Sequence, residues 1–587
     1  MHEKYPIVIG INAYHADASA AIFMNGKMIA AIEEERLTRI KHTAGFPVLA
    51  ILFCMKEAGI SYKEVDHFVI GRDPKAKLFK RIKYLLSQSL NGTAGLRQRI
   101  ANRKKVQSLG AELSIITGAN ESYFKNKIVH VEHHRSHLAA AFYASGFERA
   151  ACISIDGSGD FSTMMMGVGS PNGIEVKQSQ DFPHSIGIFY TACTQWLGFP
   201  HYGDEYKVMG MAPYGQPIHA EKLRKLIRPT TEGSFKLDMQ YFIKPGTGII
   251  SYDENNIPIV ATLFNKKFLE LLGAARSPSE EIMQLHKDMA ASVQLVTEEI
   301  IFHLLRHLHA ITRLDMICIA GGVAQNSVAN GKITRHTPFK KVFIPSAGHD
   351  AGISMGAGMY QLFHDLKLPV VKNTSPYLGS RFSNDEIEIF LQKENIGYKK
   401  YDDTSLYDLV SDLIIDGAVV GWFCGRSEFG PRALGGRSII ADPRRADAKE
   451  LINSKIKRRE SFRPFAPSIL AEEVGNFFDM DEPVPYMEKV FPIRKEKQSL
   501  IPAVTHVDGT GRLQSVTKEM SPRYHALIKN FFEKTGIPIL LNTSFNENEP
   551  IVNTPKEALD CYLRTSMDVL VLENMVVIRD NEHSVNK

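Results

Sequence analysis

Two histidines four residues apart, His133 and His137, give the sharpest chemical signal in this 587-residue sequence. An alanine-rich stretch follows them, and on a helix this spacing places both imidazoles on one face, about 5–6 Å apart at Cβ. Asp156 ends an apolar run and Asp350 precedes a glycine-rich stretch, so two carboxylates join the candidate set. Two imidazoles and two carboxylates suit iron, manganese or zinc, with positions left for a substrate. A polar helix end is the alternative, and His134 would share a face with His137.

A second set of polar residues lies in a basic run between positions 425 and 470. Its cations alternate with apolar residues and prolines, which favours a fixed pocket for a polyanion such as triphosphate or carbamoyl phosphate. A charged surface helix over residues 449–459 is the alternative. The cations are Arg426, Arg432, Arg437, Lys455, Lys457, Arg458, Arg459 and Arg463.

Two shorter polar patterns follow predicted strands. Gly321-Gly322 and Asn326 come after the apolar residues 316–319, where N–H groups at a helix start favour a nucleotide phosphate. The apolar run 537–541 leads into the string LNTSFN, which contains Asn542 and Ser544. Short polar side chains at a strand end are common phosphate or amide partners, and they are equally common in turns.

Short apolar runs with Asn-Gly turns predict the frame that positions the first set. Residues 6–11, 18–24 and 27–32 have the pattern of three strands, with Asn25-Gly26 as a hairpin turn. Residues 151–155, 162–168 and 174–177 repeat the pattern around Asn172-Gly173. The repetition indicates an internal duplication, the layout of the actin, sugar-kinase and chaperone ATPase superfold, although such runs also occur by chance.

The remaining pattern predicts two domains. Apolar residues at helical spacing predict helices over 283–308, 384–393 and 406–415, and residues 417–423 have the pattern of a strand. A stretch rich in Pro, Ser, Thr and Asn near residue 370 marks the boundary. We therefore expect domains over 1–368 and 369–587, since one hydrophobic core rarely grows to this chain length.

Composition excludes several classes of protein. The formal net charge of +5, from 70 basic and 65 acidic residues, is too balanced to predict nucleic-acid binding, although residues 75–105 form a basic stretch. The six cysteines are scattered without a CxxC pair, so we expect no disulfide framework and a cytoplasmic location. We also expect no signal peptide and no membrane span.

Ten strings in one order, over nearly the whole chain, resemble a known family. They are YHADASAAIF, EEERLTRIKH, HHRSHLAAAFY, IDGSGD, YKVMGMAPYG, AGGVAQNSVANGKI, GPRALGGRSI, FRPFAPSIL, PRYH and LNTSFNENEPIV. Together they resemble the NodU/CmcH-type O-carbamoyltransferases of nodulation factors and antibiotics. Any one string would be weak evidence, but ten in order are specific.

The resemblance implies an α/β enzyme with two domains. The first would be a duplicated actin-like (ASKHA) domain similar to the tRNA threonylcarbamoyl transferase, and it would hold a divalent metal, Fe(II). The second would be a YrdC-like α/β domain that makes a carbamoyl-adenylate from carbamoyl phosphate and ATP with Mg(II). The acceptor would be a hydroxyl of a small natural product. Neither nucleic acid nor a membrane would be a partner, and the resemblance leaves room for a homodimer.

The resemblance also implies roles for individual residues. His133, His137, Asp156 and Asp350 match the metal ligands. His15, Asp17 and Lys41 match catalytic positions, and one inserted residue leaves open whether His15 or Asp17 is the base. Ten residues match cofactor-binding positions: Lys207, Gly321, Gly322, Asn326, Arg432, Lys457, Arg463, Arg512, Asn542 and Ser544. The role of Lys207 is the least defined of these.

Three other functions compete with carbamoyl transfer to a small molecule. A tRNA carbamoylating or threonylcarbamoylating enzyme would use the basic stretch 75–105. A sugar-kinase-like phosphotransferase would use only the first domain and leaves the basic second domain without a role. An ATP-gated binding or chaperone module gives no reason for two histidines and two aspartates.

Overall fold

The computed structural model describes residues 5–88, 109–243, 250–372 and 375–579. The chain divides into two compact units, Met1–Thr374 (unit 1) and Ser375–Lys587 (unit 2). The end of the predicted basic stretch, from residue 89 to 105, lies outside the described residues.

Unit 1 contains two five-stranded sheets and two short hairpins. Its strands are β1 (Val8–Asn12), β2 (Ser19–Met24), β3 (Lys27–Glu33), β4 (His67–Ile70), β5 (Ile128–His130), β6 (Ala150–Gly159), β7 (Ser162–Ser170), β8 (Gly173–Asp181), β9 (Ile227–Pro229), β10 (Phe235–Leu237), β11 (Ile250–Tyr252), β12 (Pro258–Val260), β13 (Met316–Ala320) and β14 (Lys341–Phe343).

The two sheets repeat one topology. The first has the order β3-β2-β1-β4-β5 and the second has the order β8-β7-β6-β13-β14. In each, three strands form an antiparallel meander, and the first strand then pairs in parallel with a later one. Asn25 and Gly26 both have positive φ, as a two-residue hairpin turn of type I′ requires. The predicted repetition is therefore present in the strand order.

The helices of unit 1 alternate with these strands along the chain. They are α1 (Glu35–Thr38), α2 (Val48–Ala58), α3 (Leu78–Gln88), α4 (Leu109–Thr117), α5 (His133–Ser145), α6 (Ile186–Trp196), α7 (Glu205–Met211), α8 (Ala220–Leu223), α9 (Lys266–Leu272), α10 (Gln284–Thr312), α11 (Ser327–Asn330), α12 (Ile333–His336) and α13 (Gly352–Met359). Among the described helices of the chain, none combines the length and apolarity that a bilayer crossing requires.

Close packing of α5 against α13 brings the first candidate set together. Every described residue of α13 is buried, as are most residues of α5. A Cβ atom at Gly356 would overlap the carbonyl oxygen of Ser136, so the two backbones can approach this closely only at a glycine. This contact places the start of α5, with its histidines, beside the segment that leads into α13.

Unit 2 is built on one eight-stranded mixed sheet of order β15-β24-β23-β16-β17-β22-β18-β21. Its strands are β15 (Lys399–Lys400), β16 (Val420–Phe423), β17 (Arg437–Ala441), β18 (Ala466–Leu470), β19 (Phe491–Pro492), β20 (Thr510–Gly511), β21 (Gln514–Val516), β22 (Ile539–Ser544), β23 (Val569–Leu572) and β24 (Met575–Ile578). Its helices are α14 (Asn384–Lys393), α15 (Asp403–Ile415), α16 (Ala448–Leu451), α17 (Val474–Phe477), α18 (Lys495–Gln498), α19 (Pro522–Thr535) and α20 (Pro555–Arg564).

Several element boundaries differ from the prediction for local reasons. Helix α14 matches the predicted range, because Ser383 forms a capping box with Glu386. Helix α15 starts three residues early, since the Asp402 side chain accepts a hydrogen bond from a first-turn N–H and caps it. Strand β16 begins at Val420 rather than 417, because Gly417 has a φ of 100°.

Candidate active site

Helix α5 carries both predicted histidine ligands near its N-terminal end, and both are buried. The Asp160 carboxylate, from the turn between β6 and β7, accepts a hydrogen bond of 3.0 Å from the backbone N–H of His133. It thereby satisfies one of the open donors of the first helical turn. A Cβ atom at Gly159 would overlap the His133 ring. This turn therefore fixes the position of His133, a role that sequence reasoning missed although the string IDGSGD contains both turn residues.

Asp156 and Asp350 complete a compact set with these histidines. His133 Nε2 lies 3.0 Å from Asp156 Oδ2, and His137 Nε2 lies 3.3 Å from Asp350 Oδ1. One ligand atom from each of the four residues lies within 4.8 Å of the others, and all four residues are buried. The structure thus brings together the four residues that the sequence selected as metal ligands.

The hydrogen bonding within this set fits a bound cation. Both ring nitrogens of His137 and Oδ1 of Asp350 are buried without a well-formed hydrogen bond in the described part of the chain. Leaving buried polar atoms unsatisfied is unfavourable, and a cation would satisfy Asp350 Oδ1 and the Nε2 atom of His137, which faces the two carboxylates. His134 stays outside the set, because its Nδ1 lies 2.6 Å from the Ser154 hydroxyl.

The carboxylates control protonation in the set. Burial lowers the pKa of His137, but the adjacent Asp156 and Asp350 carboxylates outweigh burial and raise that pKa to about 9. Burial raises the pKa of Asp156, but the hydrogen bonds and charges of His133 and His137 outweigh burial. They hold the pKa of Asp156 well below its usual range. A proton on His137 therefore offsets negative charge where a metal cation would do the same.

The loop after β1 places the predicted catalytic residues beside this set. His15 Nδ1 lies 2.5 Å from Asp350 Oδ2. Asp17 is buried, and its Oδ1 lies 2.7 Å from Nδ1 of His42. Lys41 is exposed in the turn that leads to His42. Sequence reasoning named Lys41 and missed His42, although both belong to the string EEERLTRIKH.

The residues of unit 1 that were predicted to bind nucleotide have partners within the unit. Lys207, in α7, pairs with Asp204 at 2.7 Å. The backbone N–H of Gly322 donates to Asp156 Oδ1 at 3.2 Å, so Gly321-Gly322 helps to hold a candidate metal ligand in place. The Asn326 side chain caps α11. These contacts are structural, and nucleotide binding by these residues stays a prediction.

Three guanidinium groups lie close together in unit 2. Arg512 follows β20, and its Nε is buried without a hydrogen bond in the described residues. Burial, followed by the charges of Arg432 and Arg459, lowers the pKa of Arg512 far below its usual value. Because arginine does not lose its proton in proteins, such a cluster instead favours an anion, which guanidinium groups bind with two parallel hydrogen bonds.

Asn542 lies beside this arginine cluster. Its Nδ2 donates to the carbonyl of Ala433, next to Arg432, at 3.2 Å, and to Gln514 Oε1, two residues after Arg512, at 3.1 Å. The Asn542 Oδ1 is buried without a hydrogen bond in the described part of unit 2. A carbonyl oxygen without a protein partner can accept an N–H of a ligand.

Residues 448–456 are helical with Ser454 and Lys455 exposed, and Lys457 follows this segment. Lys457 is 1% exposed, and its Nζ donates to the Asn546 carbonyl and side-chain oxygens at 2.7 and 2.6 Å. It also bonds to Ser544 and so anchors the loop after β22. Arg463 pairs with Glu460 at 2.6 Å. The alternative of a charged surface helix over residues 449–459 therefore agrees with the exposed Lys455 and differs at the buried Lys457.

Comparison with known proteins gives one family for both units. Residues 7–359 match the family model described as Carbamoyltransferase N-terminus, and residues 411–579 match Carbamoyltransferase C-terminus. An uncharacterized protein of Synechocystis is 40% identical over 97% of this chain and 96% of its own length. Nodulation protein NolNO of Sinorhizobium fredii is 37% identical over 96% of this chain and 79% of its own length.

Solved structures are much more distant. HypF of T. kodakarensis shares 12% identity, over 61% of this chain and 48% of its own, with a TM-score of 0.30. A likeness this weak carries no conclusion about function.

Proposed function

The chain belongs to the carbamoyltransferase family, and we propose that it moves a carbamoyl group from carbamoyl phosphate to a small-molecule hydroxyl through a carbamoyl-adenylate made from ATP. Family membership makes the chain a carbamoyltransferase enzyme. The ATP-dependent route, with Mg(II) bound to the nucleotide, and the natural-product acceptor are the proposal.

The observation that carries the route is the arginine cluster of unit 2. Burial is the largest cause of the lowered pKa of Arg512, and the like charges of Arg432 and Arg459 lower that pKa further. A phosphate group would offset these like charges and gain charge-assisted hydrogen bonds. The open oxygen of Asn542 fits the amide N–H of a carbamoyl group. Cations and an amide acceptor side by side match carbamoyl phosphate better than a simple phosphate.

Adenylate formation needs this positive charge. Water attacks the carbamoyl carbon of carbamoyl phosphate, phosphate leaves, and carbamate forms. A carbamate oxygen then bonds to the α-phosphorus of ATP, and pyrophosphate departs with the electron pair. Both substrates are anionic, so fixed guanidinium groups offset repulsion and stabilise the charge that develops on the phosphates. Lys457 adds a buried ammonium group to unit 2 and holds the loop that contains Ser544 and Asn546.

Carbamoyl transfer is assigned to unit 1. His133, His137, Asp156 and Asp350 would hold the divalent ion, Fe(II) in this proposal, and when bound the ion supplies a Lewis acid for the carbamoyl carbonyl or the acceptor oxygen. The His137 imidazole must give up its proton before it can act as a ligand. A base beside this set accepts the hydroxyl proton, and the loop that carries His15 and Asp17 lies there.

We also propose fold relationships for the two units. The repeated strand order of unit 1 supports an actin-like fold related to the tRNA threonylcarbamoyl transferase. The mixed eight-stranded sheet of unit 2 is compatible with a YrdC-like domain. The assignment of one half-reaction to each unit stays a prediction.

The division of labour can be tested with single variants. Lys457→Ala should abolish carbamoyl phosphate-dependent pyrophosphate release from ATP, whereas His137→Ala should keep this release and lose carbamoyl transfer. Lys455→Ala is the matched control, because Lys455 is exposed two residues away. Equal loss of pyrophosphate release in the Lys457 and His137 variants would contradict the division.

A further inference from the structure

A second pair of titratable side chains lies beside the proposed transfer site. Asp17 Oδ1 and His42 Nδ1 are 2.7 Å apart, and the pair is within the same unit as the metal-ligand set. Asp17 belongs to the loop whose His15 contacts Asp350, so this loop links the pair to the set. The Asp17 side chain is 8% exposed, whereas the His42 side chain is 30% exposed and reaches solvent.

The backbone holds this pair in place. The Ala18 N–H donates to the carbonyl of Thr43 at 2.9 Å, and the His42 N–H donates to a Glu35 carboxylate oxygen at 2.8 Å. Asp17 and His42 both have a φ of 57°, in the left-handed region that residues other than glycine rarely adopt. Strain of this kind persists where the surroundings fix the geometry, and it concentrates at functional sites.

The contact with Asp17 determines which nitrogen of His42 is basic. A carboxylate only accepts hydrogen bonds, so in the neutral imidazole Nδ1 carries the proton and Nε2 keeps its lone pair. No hydrogen bond to Nε2 is present among the described residues. Nε2 faces Gly203, where a Cβ atom would come within 2.9 Å of it, and the Tyr202 ring stands edge-on at 5.2 Å between centroids. The missing side chain at Gly203 leaves Nε2 accessible.

Asp17 and His15, both on the loop after β1, fit the role of base less well than His42. Burial raises the pKa of Asp17, but His42 outweighs burial and lowers that pKa, so the Asp17 carboxylate is a weak base. His15 Nδ1 lies 2.5 Å from Asp350 Oδ2, so its imidazole is already engaged with a residue of the metal-ligand set. His42 has the carboxylate of Asp17 to stabilise its protonated form.

We propose that His42 is the general base of carbamoyl transfer and that Asp17 is its positioning residue. This inference rests on the proposed function. The acceptor oxygen bonds to the carbamoyl carbon, the bond from that carbon to the adenylate oxygen breaks, and AMP leaves with the electron pair. The hydroxyl proton passes to Nε2 of His42 and then to solvent, which the side chain reaches.

The test compares two nucleophiles in the full-length, metal-loaded protein with ATP and carbamoyl phosphate. Glycerol is the probe hydroxyl and needs a base, whereas hydroxylamine is a strong nucleophile that needs little help and yields hydroxyurea. His42→Asn keeps a donor for Asp17 and removes Nε2. It should lower the ratio of carbamoyl-glycerol to hydroxyurea by about 100-fold or more, the usual contribution of a positioned base. Pyrophosphate release should stay within about threefold of wild type, because that step does not use the base.

Two further variants separate catalysis from folding. Asp17→Asn should lower the same product ratio, because an amide that donates to Nδ1 moves the His42 proton to Nε2. His303→Asn is the control, since His303 is a half-buried histidine of unit 1 with a hydrogen bond to the Thr230 carbonyl. It should leave the ratio unchanged. A structural defect would lower both products together.

Three results would overturn the assignment. The first is a product ratio in His42→Asn within about threefold of wild type, and the second is a wild-type ratio no higher than that of the uncatalysed reaction. The third is metal binding by Asp17, Glu35 and His42, which lie within 4.8 Å of one another. In that case Co(II) loading would show one equivalent fewer in His42→Asn than in wild type. Absence of pyrophosphate release in wild type would instead contradict the proposed function.

Discussion

Raising the pH from 7 to 9 should tighten metal binding by the four-residue set, because His137 must lose a proton to become a ligand. The pKa of His137 in the metal-free protein is raised to about 9 by Asp156 and Asp350, against the effect of burial. Competition with this one proton makes the apparent Kd about 100 times larger at pH 7, and about 2 times larger at pH 9, than the Kd of the site with His137 deprotonated. The expected gain is about 50-fold, or about 2.3 kcal/mol.

This expectation can be measured by competition. Metal-free protein would be titrated with Co(II) against a chelator of known affinity, corrected for proton binding by the chelator, at pH 7, 8 and 9. Binding at pH 7 should also release about one proton per metal in weakly buffered solution. His137→Gln should bind more weakly at every pH and lose most of the dependence. A wild-type affinity that stays constant from pH 7 to 9 would refute the reasoning about His137.

Three further predictions concern stability and the site frame. The metal-free protein should lose stability as the pH rises from 6.5 through about 9, because the raised pKa of His137 stabilises the fold most fully at pH values below 6.5. The loss in free energy of unfolding should be at most about 3 kcal/mol, and urea unfolding at several pH values measures it. Gly159→Ala should weaken Co(II) binding at least tenfold, because the added Cβ would displace the His133 ring, while Gly397→Ala, where a Cβ atom would meet nothing within 4 Å, leaves binding unchanged. Arg512→Met should abolish pyrophosphate release yet raise the Tm, since it removes like-charge repulsion; a lower Tm would contradict the cluster.

Features that depend on neighbouring residues could be predicted from the sequence. The Asn25-Gly26 hairpin follows from the backbone freedom of those two residues, and α14 follows from its capping box. The pairing of His133 with His137 follows from helical periodicity. Each of these signals lies within a few residues of chain, where local geometry leaves few alternatives.

Features that depend on tertiary packing could not be predicted in this way. Asp17 and His42 meet because two loops exchange backbone hydrogen bonds, and no local pattern marks that contact. Asp160 accepts a hydrogen bond from the first turn of α5, although it lies in the turn between β6 and β7. Arg512 was selected through the family resemblance alone, and only the structure shows that Arg432 lies close enough to affect its pKa.

The central claim is that the carbamoyl group passes through an adenylate. Phosphorus-31 NMR of wild-type protein with ATP, Mg(II), carbamoyl phosphate and glycerol would identify every phosphorus product in one spectrum. The account predicts AMP, pyrophosphate and phosphate in equal amounts, with no AMP when carbamoyl phosphate is left out. ADP and phosphate without pyrophosphate would contradict the account and indicate phosphoryl transfer instead.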